Sequence, residues 1–416
     1  MIEQFKALLK RKSVKNGAWL YVLQFFNMVV PLLTLPYITR ILGASKYGVF
    51  SIALNIIGYL HVVVEYGFGL SASRNVAING RKNLNKQFTT VILSRAFLTV
   101  VSAVVGVVYV FLNRDNSQLC VSFWVLFICL FGYCVQMNWI FQGLQEMKFI
   151  SIVNIVARTI STVLIFTLVK TENDLLLYCL LYSISPFLSG WIGCFLAKNR
   201  YALNFVRVDI ADVIQELKNG FYVFTVNLSS KVFGAIGVTF LGIFASSAEV
   251  GVFSAIQKIP SLLVLLWSPI NQVIYPIASK RFSISVKDGI AFVNKIKKYS
   301  LPVFCAGVIV LALGSKFIVN LLFGQEYAAS FYWLIPLLFW VLVSIDNNLL
   351  GIQTLLASGH DKEYGKAFQV GVFVTILLNL VLSYTLKGFG ASIAPAVSEI
   401  ILNVILRFSI KNVLTN

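Results

Sequence analysis

Charge is scarce in this chain. Asp, Glu, Lys and Arg make up 12% of 416 residues, against about 25% in an ordinary soluble domain. A water-facing fold of this length needs a polar skin that this sequence cannot supply. Histidine occurs only twice, and neither lies in a ligand spacing with cysteine. The six cysteines (Cys120, Cys129, Cys134, Cys179, Cys194, Cys305) sit in or beside apolar runs and read as small apolar fillers. No metal and no cofactor is expected. No G-x-x-x-x-G-K-[ST] loop occurs, which excludes that type of ATP site. Acids are fewer than bases, leaving a formal charge of +18. A nucleic-acid binder would carry that charge on a polar folded domain. The chain has no such domain, so no nucleic-acid partner is expected.

Hydrophobic residues make up 58% of the chain, and the mean hydropathy is +0.84. Apolar runs of about 20 residues recur along the whole length, each able to cross about 30 Å of hydrocarbon as a helix. A lone strand would leave its backbone groups unpaired in lipid, so the runs read as helices. The expected fold is an all-α polytopic membrane protein of about twelve transmembrane helices. The spans fall near 14–38, 49–70, 89–112, 119–142, 150–169, 175–197, 217–244, 250–278, 299–319, 329–357, 367–386 and 390–409. A basic amphipathic stretch (Ile2, Phe5, Leu8, Leu9 against Lys6, Lys10, Arg11, Lys12) precedes the first span and reads as lying on the membrane surface. The first run is too long for a signal peptide and lacks its cleavage pattern, so a retained span is expected.

Loop charge alternates. With the N-terminus inside, inner segments hold clusters such as Arg74, Arg81, Lys82, Lys86 and Lys280, Arg281, Lys287, Lys295, Lys297, Lys298. Outer segments hold only Arg40, Lys46, Arg114, Lys170, Lys316 and Lys387. The positive-inside rule therefore predicts a multi-pass protein with both termini cytoplasmic.

The chain repeats itself. Gly48-Val49-Phe50-Ser51 recurs as Gly251-Val252-Phe253-Ser254, and Asn16-Gly17 recurs as Asn219-Gly220, both at an offset of 203. An even number of spans per half makes this a parallel repeat. The spacing predicts two six-helix lobes, 1–205 and 206–416, around a central cavity.

A few polar residues interrupt the apolar spans. Each charge at a span centre costs roughly 2.5–3.5 kcal/mol, so it should face a partner, water or the bundle interior. Arg95, Arg158, Lys231 and Lys258 are candidate cavity cations, with Arg40 beside them at a span end. Arg95 and Arg158 can alternatively snorkel to an interface. His61, Glu65, Asp346 and Glu399 are candidate cavity acids or ion-coupling groups, with His61 and Glu65 four residues apart. Asp346 can instead pair with a cation. Gln24, Asn27, Asn55, Asn227, Asn271 and Gln353 are candidate polar lining. Such stripes can line a hydrated lumen or join helices by hydrogen bonds. No catalytic residue is expected.

The chain resembles the Wzx-type O-antigen and polysaccharide repeat-unit flippases of the multidrug/oligosaccharidyl-lipid/polysaccharide exporter superfamily. The segments that carry the resemblance occur in order along the chain. They are Pro31-Leu32-Leu33-Thr34-Leu35-Pro36-Tyr37, Arg40-Ile41-Leu42-Gly43, Val64-Glu65-Tyr66-Gly67-Phe68, Phe141-Gln142-Gly143, Ile274-Tyr275-Pro276 and Gly351-Ile352-Gln353. The resemblance implies ion-coupled alternating access that carries undecaprenyl-pyrophosphate-linked oligosaccharide across the bacterial inner membrane. It also implies partners among membrane lipid and the polymerase and chain-length proteins of the same pathway. Arg40, Lys231 and Lys258 would supply charge for the pyrophosphate. A multidrug exporter of the same superfamily would favour cavity acids, whereas here candidate cations outnumber acids. A membrane-embedded glycan polymerase or ligase would need a sizeable outer loop, and none occurs.

Overall fold

The structure is a computed structural model that describes the backbone of residues 12–414 and the side chains of 16–413. The amphipathic stretch up to Arg11 lies outside the described residues. Among the described residues the chain is helical, with no strand.

Among the described residues, ten helical stretches are long and apolar enough to cross a membrane. Two are long enough to cross a bilayer twice: Asn16–Asn79 has 64 residues and Asp361–Val413 has 53. At 1.5 Å per residue, even the shorter would reach about 80 Å if straight. Both are broken. Gly43 has φ 69° and ψ 172°, a region open essentially to glycine alone. Lys387 has φ 51° and ψ −131°, and its Nζ donates to the Phe244 carbonyl. The structure has ten continuous stretches where twelve spans were expected, and each of the two longest stretches contains one of these breaks. The loop expected between spans one and two is thus a single non-helical residue, because the flanking residues stay helical on both sides.

The chain forms two compact units: Met1–Leu42 with Ile52–Val232, and Gly43–Ser51 with Phe233–Asn416. The division falls inside the Ile210–Phe244 helix. The first part of that helix packs on the first unit: the Phe224 ring stacks on Tyr66 at 4.5 Å, and Gly220 lies against the Tyr66 carbonyl. The core of the first unit gathers around Phe68, Phe88, Trp139, Phe141 and Leu203. That of the second includes Trp267, Ile274, Val341, Ile345 and Leu349.

Within the second unit, Gly43–Ser51 crosses the Ser247–Ile256 helix. A β-carbon on Gly48 would overlap the Ser247 carbonyl, and one on Gly251 would overlap the Ala44 carbonyl. Ala44 and Gly48 form a small-x-x-x-small pair, and so do Ser247 and Gly251, the pattern that lets two helix backbones touch in a membrane. Each residue of one pair is its counterpart in the other shifted by 203, so the contact has a local two-fold character. The Ala44 N–H, freed by the break at Gly43, donates to Glu326 Oε2 at 2.9 Å.

Candidate site: buried charges within each unit

In the first unit, Arg158 on the Met147–Leu168 helix donates to Asn27 Oδ1 at 2.9 Å. The pair borders a cavity of about 220 Å³ whose other polar walls include Thr34, Tyr133, Gln136, Asn154 and Tyr182. Arg158 is the one charged residue in the lining, and no carboxylate faces the space. Arg158 makes no ion pair among the described residues. A guanidinium carries five N–H donors in a planar fork, so an oxyanion or a sugar hydroxyl entering the cavity would find donors to meet it.

Lys231 points its ammonium at the Cα of Gly58 and lies 5.4 Å from the centre of the Tyr59 ring. The absence of a β-carbon at Gly58 makes room for that ammonium. His61 lies against Tyr133, with ring centres 3.7 Å apart and the ring planes tilted by 30°. Tyr133 therefore touches the His61 side of the unit and also borders the Arg158 cavity.

Two other sequence candidates have structural roles. Arg95 is only 3% exposed. Its Nη1 donates to the carbonyls of Tyr133, in the last turn of the Ser117–Cys134 helix, and Gln136, just past it, and its guanidinium lies over Phe68. It satisfies carbonyls that the helix end leaves open and does not snorkel. Glu65 accepts from the Gly67 N–H at 2.8 Å and the Gly69 N–H at 2.6 Å. The chain bends there through Tyr66 (φ 48°) and Gly67 (φ 81°) before Phe68–Asn79 resumes. The carboxylate thus caps a helix that starts within an apolar run. Asn55 is buried, Asn227 is half-buried, and Gln24 and Arg40 are exposed.

In the second unit Asp346 is 8% exposed and pairs with two cations, Lys297 and Arg407. Arg407 Nη2 lies 2.8 Å from Asp346 Oδ2. Asn403 Nδ2 donates to the same oxygen at 3.0 Å and to Asn347 Oδ1 at 2.7 Å. Asn347 Nδ2 in turn donates to Glu399 Oε2 and, at 2.8 Å, to the Glu399 carbonyl. Glu399, 4% exposed, has no ion-pair partner among the described residues. Gln353 is fully buried and donates to both oxygens of Asn271. It sits in a π-helical turn, Gly351–Leu356, in which the Ala357 N–H reaches back five residues to Ile352. Such turns gather at functional sites. Lys258 is exposed at the start of its helix.

Lys297 belongs to a cluster that reads as inner loop charge, and neither it nor Arg407 stands out in the sequence as the partner of Asp346. A signal was present: Glu399, Asn403 and Arg407 follow at four-residue steps along one helical face.

Membrane-length helical stretches that enclose hydrogen-bonded charges are the make-up of a polytopic membrane protein. Residues 13–282 match the family described as polysaccharide biosynthesis protein, and the chain belongs to it. It is 27% identical to a protein of Escherichia coli (strain K12) named "Putative O-antigen transporter", with 96% of each chain covered. Among solved structures it is similar to the lipid II flippase MurJ in an inward closed conformation. That match has a TM-score of 0.69 and 14% identity, covering 94% of this chain and 87% of the other. It is also similar to a multidrug resistance MATE family transporter of the MOP superfamily in an inward-facing conformation. There the TM-score is 0.63 and the identity 14%, covering 92% and 98%. The likeness to both structures shows the fold.

Proposed function

We propose that this protein is a flippase. It moves undecaprenyl-pyrophosphate-linked O-antigen or polysaccharide repeat units from the cytoplasmic to the periplasmic leaflet of the bacterial inner membrane by alternating access. Family membership and the name of the Escherichia coli relative support the cargo class. The observation that carries the reading is the acid-free cavity holding Arg158. Its polar walls suit a hydroxyl-rich glycan, and its guanidinium suits an oxyanion. An exporter of cationic drugs would need a carboxylate in that position.

The chain crosses twelve times if the stretches broken at Gly43 and Lys387 each cross twice. Both termini then lie in the cytoplasm, on the side that carries most of the loop cations. No nucleotide motif supports an ATP-driven cycle. The drive is an ion gradient, and Glu399 is the coupling carboxyl best suited to it, since Asp346 already pairs with Lys297 and Arg407. The role is transport and not catalysis, alongside the polymerase and chain-length proteins of the pathway.

Deleting the gene and locating the lipid-linked repeat unit tests the reading. Accumulation on the cytoplasmic face is expected. Normal translocation with single unpolymerised units at the surface would assign the protein to polymerisation instead.

A further inference from the structure

We propose that the second unit holds a binding site for an anionic glycerophospholipid, at the Lys297–Lys298 end of an apolar groove. The groove measures about 770 Å³. Its walls come from three helices, Val286–Leu313, Leu334–Leu350 and Asp361–Leu414, through Leu301, Pro302, Leu342, Val343, Ile400 and Val404. Pro302, Ile400 and Val404 are exposed, so the groove opens outward from the unit.

Charge is confined to one end. Lys297 and Lys298 line it together with Asp346 and Asn403. Asp346 is shared between Lys297 and Arg407, while Lys298 is exposed and has no ion-pair partner among the described residues. Three cations around one carboxylate leave an excess of positive charge. Glu399, the next acid along the network, is turned to Asn347 and is absent from the groove lining.

The ligand class follows from this polarity. An apolar wall filled by water gains nothing, whereas hydrocarbon chains bury it favourably. A sugar or a soluble anion would leave the wall unmatched, and a zwitterionic lipid would bring an ammonium of its own beside the lysines, leaving their charge uncompensated. Basic pockets between transmembrane helices are known holders of anionic headgroups. Lys297 and Cys305, eight residues apart on one helix, mark a wall of about 12 Å, comparable to the ~15 Å hydrocarbon depth of one leaflet. The groove therefore matches an acyl chain reaching down from a headgroup at one membrane face. That face is the cytoplasmic one in the orientation proposed above.

The test uses full-length protein purified in detergent, titrated with dioleoylphosphatidylglycerol or dioleoylphosphatidylcholine and read by native mass spectrometry. Wild type is expected to retain phosphatidylglycerol preferentially. Lys298→Gln should weaken that retention about fivefold, and Lys297→Gln/Lys298→Gln by a further similar factor. Val404→Trp, which fills the groove at an exposed position, should weaken it without touching the charges. Equal retention of the two lipids overturns the proposal. So does unchanged phosphatidylglycerol binding in both Lys298→Gln and Val404→Trp, or displacement by undecaprenyl phosphate at lower concentration than by phosphatidylglycerol. The readout is lipid binding and not export, so a failure here is distinguishable from a failure of the flippase reading.

Discussion

Gly48 and Gly251 sit back to back in a helix crossing, each lying against the turn that precedes the other. Residues 203 apart in the sequence thus meet across a local two-fold, and the repeated Gly-Val-Phe-Ser motif has a packing cause. Both backbones are already at contact distance, so there is no space for a methyl group. Gly48→Ala and Gly251→Ala should each destabilise the protein by about 1–3 kcal/mol. Gly307→Ala, at a helical glycine with open space around it, should be neutral or mildly stabilising. Thermal unfolding in detergent measures all three. Equal melting of Gly48→Ala and wild type would contradict the close crossing.

Asp346 is the shared counter-ion of Lys297 and Arg407. Breaking a buried ion pair costs about 3–5 kcal/mol. The Arg407 side chain is 55% exposed, so solvent screening lowers the expectation for Asp346→Asn to about 1–3 kcal/mol. Adding Lys297→Gln to Asp346→Asn should restore part of the loss. A double-mutant cycle with no coupling energy would count against the pairing.

Arg158 is expected to contact cargo. Arg158→Gln keeps an amide near Asn27 but removes the charge. Hydrogen bonds to charged groups contribute about 1.5–3 kcal/mol, so cargo affinity should fall about tenfold or more. Surface polysaccharide in a complemented deletion strain reports the loss. Arg158→Lys should recover only part of it, because an ammonium lacks the guanidinium fork. Full export by Arg158→Gln would remove the cavity from the transport path.

Lys231 and Gly58 should behave as one unit. A β-carbon at Gly58 would press directly on the Lys231 ammonium. Gly58→Ala and Lys231→Ala are therefore predicted to reduce export alike, with both proteins still inserted in the membrane. A defect in Lys231→Ala that Gly58→Ala does not reproduce would mean that the ammonium acts from elsewhere.

Glu399→Gln tests coupling. Export driven through this carboxyl should lose its dependence on external pH, while Asp346→Asn should lower protein stability without flattening the pH profile. An unchanged profile in Glu399→Gln would remove Glu399 from the coupling step.

The helical architecture was legible because lipid leaves the backbone few choices and each crossing needs a long apolar run. The break at Gly43 was less legible. Arg40 and Lys46 look like loop charge, yet they sit in helices on either side of one glycine. The polar span residues were legible as exceptions, but their roles depend on partners distant in sequence. Nothing local to Glu65 announces that its carboxylate folds back onto the amides of Gly67 and Gly69. Nothing local to Arg95 announces the carbonyls of Tyr133 and Gln136, about forty residues away. A cation partner for Asp346 was legible, but its identity was not: the helix carrying Lys297 begins at Val286, well before its apolar run.

The π-helical turn at Gly351–Leu356 acts as one residue too many in an otherwise regular helix. Every side chain after it is rotated by about 100° from where an uninterrupted helix would put it. Removing a single residue from this turn would thus do more than shorten a helix. It would swing the Gln353 amide away from Asn271 and re-aim the chain that leads to His360. Length in this short stretch should be as tightly constrained among relatives as any side chain, and an alignment gap there would mark a protein whose interior is wired differently.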